Sequence, residues 1–431
     1  MCKSVLLSSL LVRLGQGART QTSKLQFPKD SVAYHIPYDE MQRQSLFHSR
    51  STIQSEHLVM MLLGFGSAAG PASSLLRHRG IALNHLSSLS RGGSNGDRDS
   101  LRSSRSSIRG SADAFPEPSR YVWRGHSCSF VKSGQGPPVL LLHGFAGSAF
   151  NCWRSTLPAL AQDHTVYAID LLGLGASDQP SDVEYSIDLW REQCADFISE
   201  QMSEPPIVIG HSFGSVIALE LARELAEQGT PARAVGMMNC GVGMNNKNAL
   251  KVEDWHREQE EKGVQVGDAA PAWQLALFAV VLSLVDFIFN QKWLLMQILE
   301  RFATADNVRN ALEGSVYINA NRVTDDLVND YLSLANNKEA AVEVLRQIYT
   351  NDGGPLPFRA ASVLPDDFPI LTVWGTSDNL APITGPVGKF FRKRSENVQR
   401  TRFEEVNAGH VPQDDVPELT NSILKDWLAQ V

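Results

Sequence analysis

The chain has 431 residues, of which 43% are hydrophobic and 20% are charged. That apolar share is enough for packed domains and excludes a chain that is disordered throughout. The formal net charge of −8 is unevenly distributed: residues 1–120 hold 15 Lys and Arg against 8 Asp and Glu, and the rest hold 24 against 39. The acidic body argues against electrostatically driven binding of nucleic acid.

The cysteines are odd in number and show no C-x-x-C spacing. This pattern predicts neither a zinc site nor a disulfide framework and indicates a reducing compartment. We expect no metal and no cofactor. The five positions are Cys2, Cys128, Cys152, Cys194 and Cys240.

Residues 1–118 are predicted to be a targeting or disordered leader, because they lack a sustained helical or strand period and are rich in Ser and Arg. Such a segment, poor in acidic residues, resembles an organelle transit peptide. Residues 112–116, Ala-Asp-Ala-Phe-Pro, resemble the cleavage signature of plastid-targeted proteins in algae with complex plastids. We expect a plastid location. The alternatives are another organelle, a disordered extension of a cytoplasmic protein, or a start codon assigned too far upstream.

From residue 119 onward, short apolar runs alternate with helical patterns, which is typical of a mainly parallel α/β sheet. Its two parts are predicted to span 119–241 and 363–431. The predicted helices span 153–162, 186–202, 213–228 and 418–428. The predicted strands span 127–132, 138–142, 165–170, 207–210, 234–239, 370–374 and 402–406.

The run 138–142 leads into a loop that begins His143-Gly144-Phe145. Such a loop leaves backbone N–H groups free. We predict that the N–H groups of Phe145 and Phe213 form an oxyanion hole, a pair of donors that stabilises a developing negative charge on oxygen. His143 is expected to shape the loop rather than to act as a base.

The run 207–210 ends in Gly210-His211-Ser212-Phe213-Gly214, directly before an apolar-periodic helix. This is the G-x-S-x-G pattern in the strand, turn and helix context that exposes a nucleophilic serine. The glycines are required because side chains there would collide with the backbone of so tight a turn. Ser212 is therefore the predicted nucleophile.

Residues 242–362 separate two predicted strands without strand signals, which is too long for a loop inside a compact domain. We predict an inserted helical cap. Its run 275–285 is hydrophobic around most of a helix, whereas a surface helix would have a polar face. The alternatives are a helix buried between cap and core, a lid, and a membrane span. The lid alternative predicts substrate contacts at Trp273, Phe278 and Leu282 and a peripheral membrane contact.

Two further polar residues follow the last predicted strands: Asp378 comes after 370–374, and His410 comes after 402–406. Both should lie at the sheet edge that carries Ser212. His410 is the predicted base and Asp378 the acid that fixes its tautomer, although an Asp is also common in turns. No carboxylate follows 234–239, which favours Asp378. Asp414 and Asp415 are expected to begin the last helix.

These residues resemble the α/β-hydrolase superfamily over about 121–431. The resemblance implies an eight-stranded, mainly parallel sheet with the cap after the sixth strand. Several short pieces resemble the plastid branch that includes pheophytinase and chlorophyll dephytylase, enzymes of phytyl esters. The turn Gly210–Gly214, called the elbow below, departs from the pheophytinase pattern, which has Asn before the serine where this chain has His211. The chain also resembles epoxide hydrolases and haloalkane dehalogenases, in which an aspartate stands where this chain has Ser212. The short pieces that resemble the plastid branch are Trp123-Arg124-Gly125-His126, His143-Gly144-Phe145, Trp153-Arg154, Ala168 to Gly173, Asp188-Leu189-Trp190 and Val316-Tyr317.

The sequence therefore predicts a serine hydrolase that cleaves an ester with a bulky apolar, phytyl-like or lipid-like group through an acyl-enzyme. The alternatives are a carbon–carbon bond hydrolase or perhydrolase with the same triad, and a non-catalytic binding protein on the same fold. The expected partner is a small apolar ester and not nucleic acid. The oligomeric state stays open.

Overall fold

The computed structural model describes residues 115–261 and 272–431. The predicted leader lies outside these residues up to position 114, so its targeting role and the plastid location stay predictions. At the start of the described part, Phe115 packs edge-on against Phe150, with ring centroids 5.4 Å apart.

Eight strands form one sheet in the part of the chain that the structure describes. They are β1 (Ser119–Trp123), β2 (His126–Ser133), β3 (Pro138–Leu142), β4 (Thr165–Ile169), β5 (Ile207–His211), β6 (Ala234–Met238), β7 (Ile370–Gly375) and β8 (Thr401–Val406). Their order is β1-β2-β4-β3-β5-β6-β7-β8. The pairs β1–β2 and β2–β4 are antiparallel, and the others are parallel. The expected eight-stranded, mainly parallel sheet is confirmed.

The central strands are continuous apolar runs, as a sheet covered by helices on both faces requires. Every residue of β3, β5, β6 and β7 is buried. Successive side chains of a strand point to opposite faces, so the buried residues divide into two clusters. In β3, Leu140 and Leu142 join one cluster, and Val139 and Leu141 join the other.

Helices flank this sheet. Those of the core are α1 (Ala149–Trp153), α2 (Leu157–Leu160), α3 (Ile187–Gln201), α4 (Phe213–Glu227), α11 (Pro357–Val363), α12 (Pro386–Asn397), α13 (Pro412–Asp415) and α14 (Pro417–Leu428). The single helix predicted over 153–162 is wrong. Pro158 lacks an N–H and is suited to a first turn, so a second short helix begins there.

The insertion between β6 and β7 is helical and forms the cap. Its helices are α5 (Asn248–Glu261), α6 (Ala272–Phe289), α7 (Lys292–Phe302), α8 (Ala305–Ala311), α9 (Asp325–Ser333) and α10 (Lys338–Thr350). A π-helical turn over Leu312–Val316 follows α8. Helix α11, which the predicted boundary assigns to the cap, packs on α4 of the core.

Helix α6, which contains the apolar run 275–285, is not buried between cap and core. Trp273 is 67% exposed and Leu277 is 58% exposed. Of the three alternatives, the buried helix is therefore wrong. Among the described residues, no single helix has the length and apolar composition of a membrane span. The pair 273–289 and 292–302 meets those criteria together, but it is bent by 85°.

Candidate active site

Ser212 lies in a sharp turn between β5 and α4. Its φ of 54° and ψ of −124° are rarely adopted by a residue with a side chain. The turn is held in place because Ser212 N–H donates to Met238 O at 2.9 Å. A Cβ at Gly210 would lie only 2.2 Å from the carbonyl oxygen of Gly214, which explains why glycine is needed there. This is the strained geometry expected of an exposed nucleophile.

Asp378 and His410 come together at the ends of the neighbouring parallel strands β7 and β8. Nδ1 of His410 lies 2.8 Å from Oδ2 of Asp378, and both residues are buried. The other oxygen of Asp378 accepts the N–H groups of Leu380 at 2.7 Å and Ala381 at 3.0 Å. Burial by itself would raise the pKa of Asp378, but His410 and these donors outweigh it and lower the pKa. Asp378 is therefore ionised and orients the imidazole.

Asn239 is a member of the site that the sequence analysis missed. It follows β6, has a positive φ of 45°, and donates its Nδ2 hydrogen to Oδ2 of Asp378. Its Oδ1 accepts the N–H of Gly375 at 3.0 Å. No carboxylate follows β6, but Asn239 there supplies an amide that holds the carboxylate of Asp378, which follows β7.

The loop after β3 approaches Ser212, the predicted nucleophile, closely. A Cβ at Gly144 would lie 2.9 Å from Cβ of Ser212. Phe145 and Phe213, whose N–H groups are the predicted oxyanion donors, both line the cavity that contains Ser212. Their rings are held by aromatic neighbours, because Phe213 stacks on Trp190 at 5.0 Å and Phe145 meets Tyr349 edge-on at 6.3 Å.

His143 has both ring nitrogens occupied. Nε2 accepts the N–H of Leu171 at 3.0 Å, so Nδ1 carries the proton and donates to Gly144 O at 2.8 Å. Burial lowers the pKa of this fully buried ring, even though Asp170 opposes the shift. His143 therefore fixes the oxyanion loop and has no free nitrogen with which to act as a base.

His211, the residue before the predicted nucleophile, supports the loop of His410, the predicted base. Its Nε2 lies 2.8 Å from the carbonyl oxygen of His410 and donates to it. Burial, and next the neighbouring His410, lower the pKa of His211 to about 3. A neutral His211 therefore ties the loop of His410 to the elbow of Ser212.

This buried neutral ring predicts a pH dependence of stability. Its folded pKa lies below the unfolded value of about 6.5, so the unfolded chain binds one more proton between these values. The contribution of His211 to the free energy of unfolding is therefore fully present above about pH 6.5. It falls by about 1.4 kcal/mol per pH unit as the pH drops below that value. We expect His211→Asn, whose amide can still donate to His410, to remove the contribution of this one proton. Between about pH 6 and pH 5, the free energy of unfolding of the variant should therefore fall less steeply, by about 1.4 kcal/mol per pH unit. His143 contributes with the same sign, so part of the slope remains.

Chemical denaturation of the wild type and His211→Asn at a series of pH values measures the two slopes. His126, which is half-buried at the start of β2, offers a matched control. An identical slope in the wild type and in His211→Asn, with His126→Asn unchanged as well, would contradict the assignment of the missing proton to His211.

A cavity of about 380 Å³ is lined by Ser212, by His410 and by the predicted oxyanion residues Phe145 and Phe213. Ser212 and His410 line it from the core, and Phe278, Tyr331 and Tyr349 line it from the cap. No Lys, Arg, Asp or Glu is among its lining residues within the described chain. The described residues also contain no group of three or more His, Cys, Asp or Glu side chains able to hold a metal ion.

Of the three predicted substrate contacts, only Phe278 lines this cavity. Trp273 lies five residues earlier on α6, about 140° around the helix, and is exposed to solvent. Leu282 is half-buried, lies one turn beyond Phe278, and is not among the lining residues. We therefore correct the prediction for Trp273 and Leu282. An all-round apolar helix gives no indication of which side faces a cavity.

Asp414 connects the cap to the core. Its fully buried carboxylate accepts two hydrogen bonds from Arg154, at 3.0 and 2.7 Å, and one from Arg322 of the cap at 2.8 Å. Burial would raise its pKa, but Arg154 outweighs this and lowers the pKa. Ser155 and Tyr317 also donate to it. Asp414 lies in the first turn of the short helix α13, and the last helix begins only at Pro417, so the expectation that Asp414 begins the last helix is corrected by a few residues.

Asp415 likewise connects cap and core, beside His410. It accepts the N–H of Gly409 at 2.7 Å, and it also accepts those of Ile318 and Asn319 in the cap. The N–H of His410 donates to Val316 O of the cap at 2.8 Å. The loop that carries the predicted base is thus held by the cap as well as by the core. Like Asp414, Asp415 lies in α13 and not in the last helix, which begins at Pro417.

Comparison with known proteins agrees with this architecture. A profile described as alpha/beta hydrolase fold matches residues 137–417. The chain is 35% identical over 126 residues to bifunctional epoxide hydrolase 2 from Sus scrofa, which covers 29% of this chain and 22% of that protein. It is 37% identical over 112 residues to 2-hydroxymuconate semialdehyde hydrolase from Pseudomonas sp. (26% and 39%). It is 38% identical over 96 residues to pimeloyl-[acyl-carrier protein] methyl ester esterase from Aeromonas hydrophila (22% and 36%).

These matches span less than half the length of the curated relatives. Among solved structures, a putative acyltransferase from Salmonella enterica aligns with a TM-score of 0.53 and 19% identity, over 71% of this chain and 92% of that one. At this identity, the likeness concerns the fold alone. Because the family profile covers well over half of the chain and the sheet, elbow and cap have the expected order, the chain belongs to the α/β-hydrolase fold family.

Proposed function

We propose that this protein is a serine hydrolase that cleaves an ester carrying a bulky apolar group. The proposal rests on one cavity that both Ser212 and His410 line, with Asp378 hydrogen-bonded behind His410. Among the described residues that line this cavity there is no Lys, Arg, Asp or Glu. A neutral apolar ester suits such walls, whereas a substrate with a carboxylate would lack a cationic partner in them.

The proposed reaction follows from the positions of these groups. His410 Nε2 takes the proton of Ser212 Oγ as that oxygen attacks the ester carbonyl carbon. The N–H groups of Phe145 and Phe213 stabilise the oxyanion. His410 then protonates the leaving alcohol as the carbon–oxygen bond breaks. Water, deprotonated by His410, attacks the acyl-enzyme, releases the acid and restores Ser212.

A second, smaller cavity supports the apolar character of the substrate. It has a volume of about 130 Å³, lies among α7, α8, α9 and α10, and shares Phe145 and Tyr331 with the catalytic cavity. Among the described residues that line it, Tyr331 and Gln179 are the only ones with polar side chains. The resemblance to the pheophytinase and chlorophyll dephytylase branch makes phytyl esters the first class to test, with a plastid as the proposed location.

A second candidate is hydrolysis of a carbon–carbon bond with the same triad. The similarity to 2-hydroxymuconate semialdehyde hydrolase favours it. The uncharged cavity walls favour the ester.

A substrate panel distinguishes the two candidates. We expect the full-length protein to hydrolyse pheophytin, chlorophyll, galactolipid or triacylglycerol, and to leave ring-cleavage dienoates intact. Within a series of p-nitrophenyl esters, kcat/KM should rise at least about tenfold from acetyl to longer acyl chains, since about 0.8 kcal/mol accompanies each buried CH₂. Cleavage of the dienoate without any turnover of esters would replace the ester proposal with the second candidate.

A further inference from the structure

One face of helix α6 is a continuous apolar surface in contact with solvent. We name it the exposed stripe; its residues Trp273, Leu277, Val280, Leu284 and Phe287 are between 50% and 67% exposed. They recur at alternating intervals of four and three, so they lie along one side of the helix. Exposed apolar patches of this kind mark interaction sites. We propose that the exposed stripe docks on the surface of a lipid bilayer.

The other side of α6 is occupied by the protein itself. Phe289 stacks on Tyr349 with ring centroids 3.9 Å apart, and it forms a small buried cluster with Leu295 and Val342. Phe278 lines the catalytic cavity. The helix is therefore fixed in the cap on one side, and the exposed stripe is a second face that this packing leaves uncovered.

The charge pattern distinguishes a bilayer from a second copy of the chain. Residues 272–285 contain no charged side chain at all. A coiled-coil seam between two chains, the usual pairing of two such apolar stripes, carries charged residues beside its apolar positions, which set register and partner. Asp286, the first charge after this run, is paired with Lys247 at 2.9 Å. A helix without charge on or beside its apolar stripe suits a lipid surface, which excludes charge.

The ends of the exposed stripe carry residues suited to the membrane–water interface. Trp273 lies at one end, and Trp293, 63% exposed, lies just beyond the other. Lys292 precedes Trp293, and its ammonium group is paired with Glu343 of the cap at 2.6 Å, so it leaves no free charge at this end of the stripe. Tryptophan prefers the headgroup level of a membrane. Since α7 bends away by 85°, α6 can lie along the surface rather than cross it.

Docking of the exposed stripe would place the cavity beside the source of an apolar substrate. Phe278 and the stripe belong to the same helix, so a wall of the catalytic cavity would lie directly against the bilayer. The docking itself is independent of ester hydrolysis and is tested by binding alone.

The experiment is flotation of the full-length protein with vesicles of phosphatidylcholine, and of phosphatidylcholine mixed equally with phosphatidylglycerol. Salt at about 1 M reduces the Debye length to about 3 Å and so screens attraction of the basic N-terminal segment to lipid. The test variant is Leu277→Glu with Leu284→Glu. The matched control is Val363→Glu with Leu419→Glu, which changes two exposed apolar residues of the core, 65% and 50% exposed. Circular dichroism verifies that both variants fold.

We expect the wild type and the control to float with vesicles, and the Leu277→Glu, Leu284→Glu variant to bind at least about tenfold more weakly. The same result is expected in a Ser212→Ala background, where lipid turnover plays no part. Equal binding of both variants, or no binding of the wild type, would overturn the proposal. A wild-type dimer that the stripe variant converts to a monomer, without vesicle binding, would assign the exposed stripe to a second copy of the chain instead.

Discussion

Replacing Ser212 by Ala is expected to lower the rate of ester hydrolysis by about 10⁴-fold or more, to the level left by the oxyanion donors and binding alone. Without the hydroxyl, no covalent intermediate forms, and His410 has no proton to take. The measurement is the steady-state rate with a p-nitrophenyl ester and with the best natural ester of the panel.

Ser215→Ala is the matched control for this prediction. Ser215 lies three residues further along the same helix, and its hydroxyl donates to Gly210 O at 2.9 Å instead of lining the cavity. The control should keep its activity within about tenfold. Activity of pure Ser212→Ala equal to that of Ser215→Ala would show that another residue performs the attack.

The second large effect is expected for Asp378→Asn, which should reduce kcat by about 10⁴-fold with little change in KM. The carboxylate accepts from Nδ1 of His410 and from Asn239 on the same oxygen. An amide there would either present its own donors to these groups or favour the wrong tautomer of His410. Substrate contacts are untouched, so binding should persist.

The control for Asp378→Asn is Asn239→Ala, which removes one donor to the carboxylate but leaves the acceptor for His410. Asn239→Ala should lower kcat far less than Asp378→Asn does. The rise in activation free energy should be at most about 1.5–3 kcal/mol, the value of one hydrogen bond to a charged group. Thermal unfolding of both variants verifies the fold. If kcat of Asp378→Asn equals that of the wild type, the acid of the site lies elsewhere.

The order of the core was predictable because its signals are local. The run 138–142 coincides with β3, since five consecutive apolar residues need burial on both faces of a sheet. Ser212, Asp378 and His410 could each be predicted as site residues because each follows a strand, and parallel strands present their carboxyl ends at one edge. Strand β1 was missed because it is an edge strand with a largely exposed, mixed sequence, Ser-Arg-Tyr-Val-Trp.

The supporting residues were not predictable, because their partners are distant in the sequence. Asn239 reaches Asp378 across 139 positions, and Arg154 reaches Asp414 across 260. No spacing rule relates such residues. The orientation of α6 was hidden for a different reason: its residues are apolar all round, so the helical period does not indicate which side the rest of the protein covers.

Whether Ser212 is the nucleophile can be read from covalent labelling with a fluorophosphonate, followed by mass spectrometry of the peptides. We expect one adduct per chain, on Ser212, formed quickly in the wild type and at least about 10³-fold more slowly in Asp378→Asn, since the attacking hydroxyl needs its oriented base. No adduct on Ser212, or an adduct on another serine with ester hydrolysis intact, would show that Ser212 does not perform the attack.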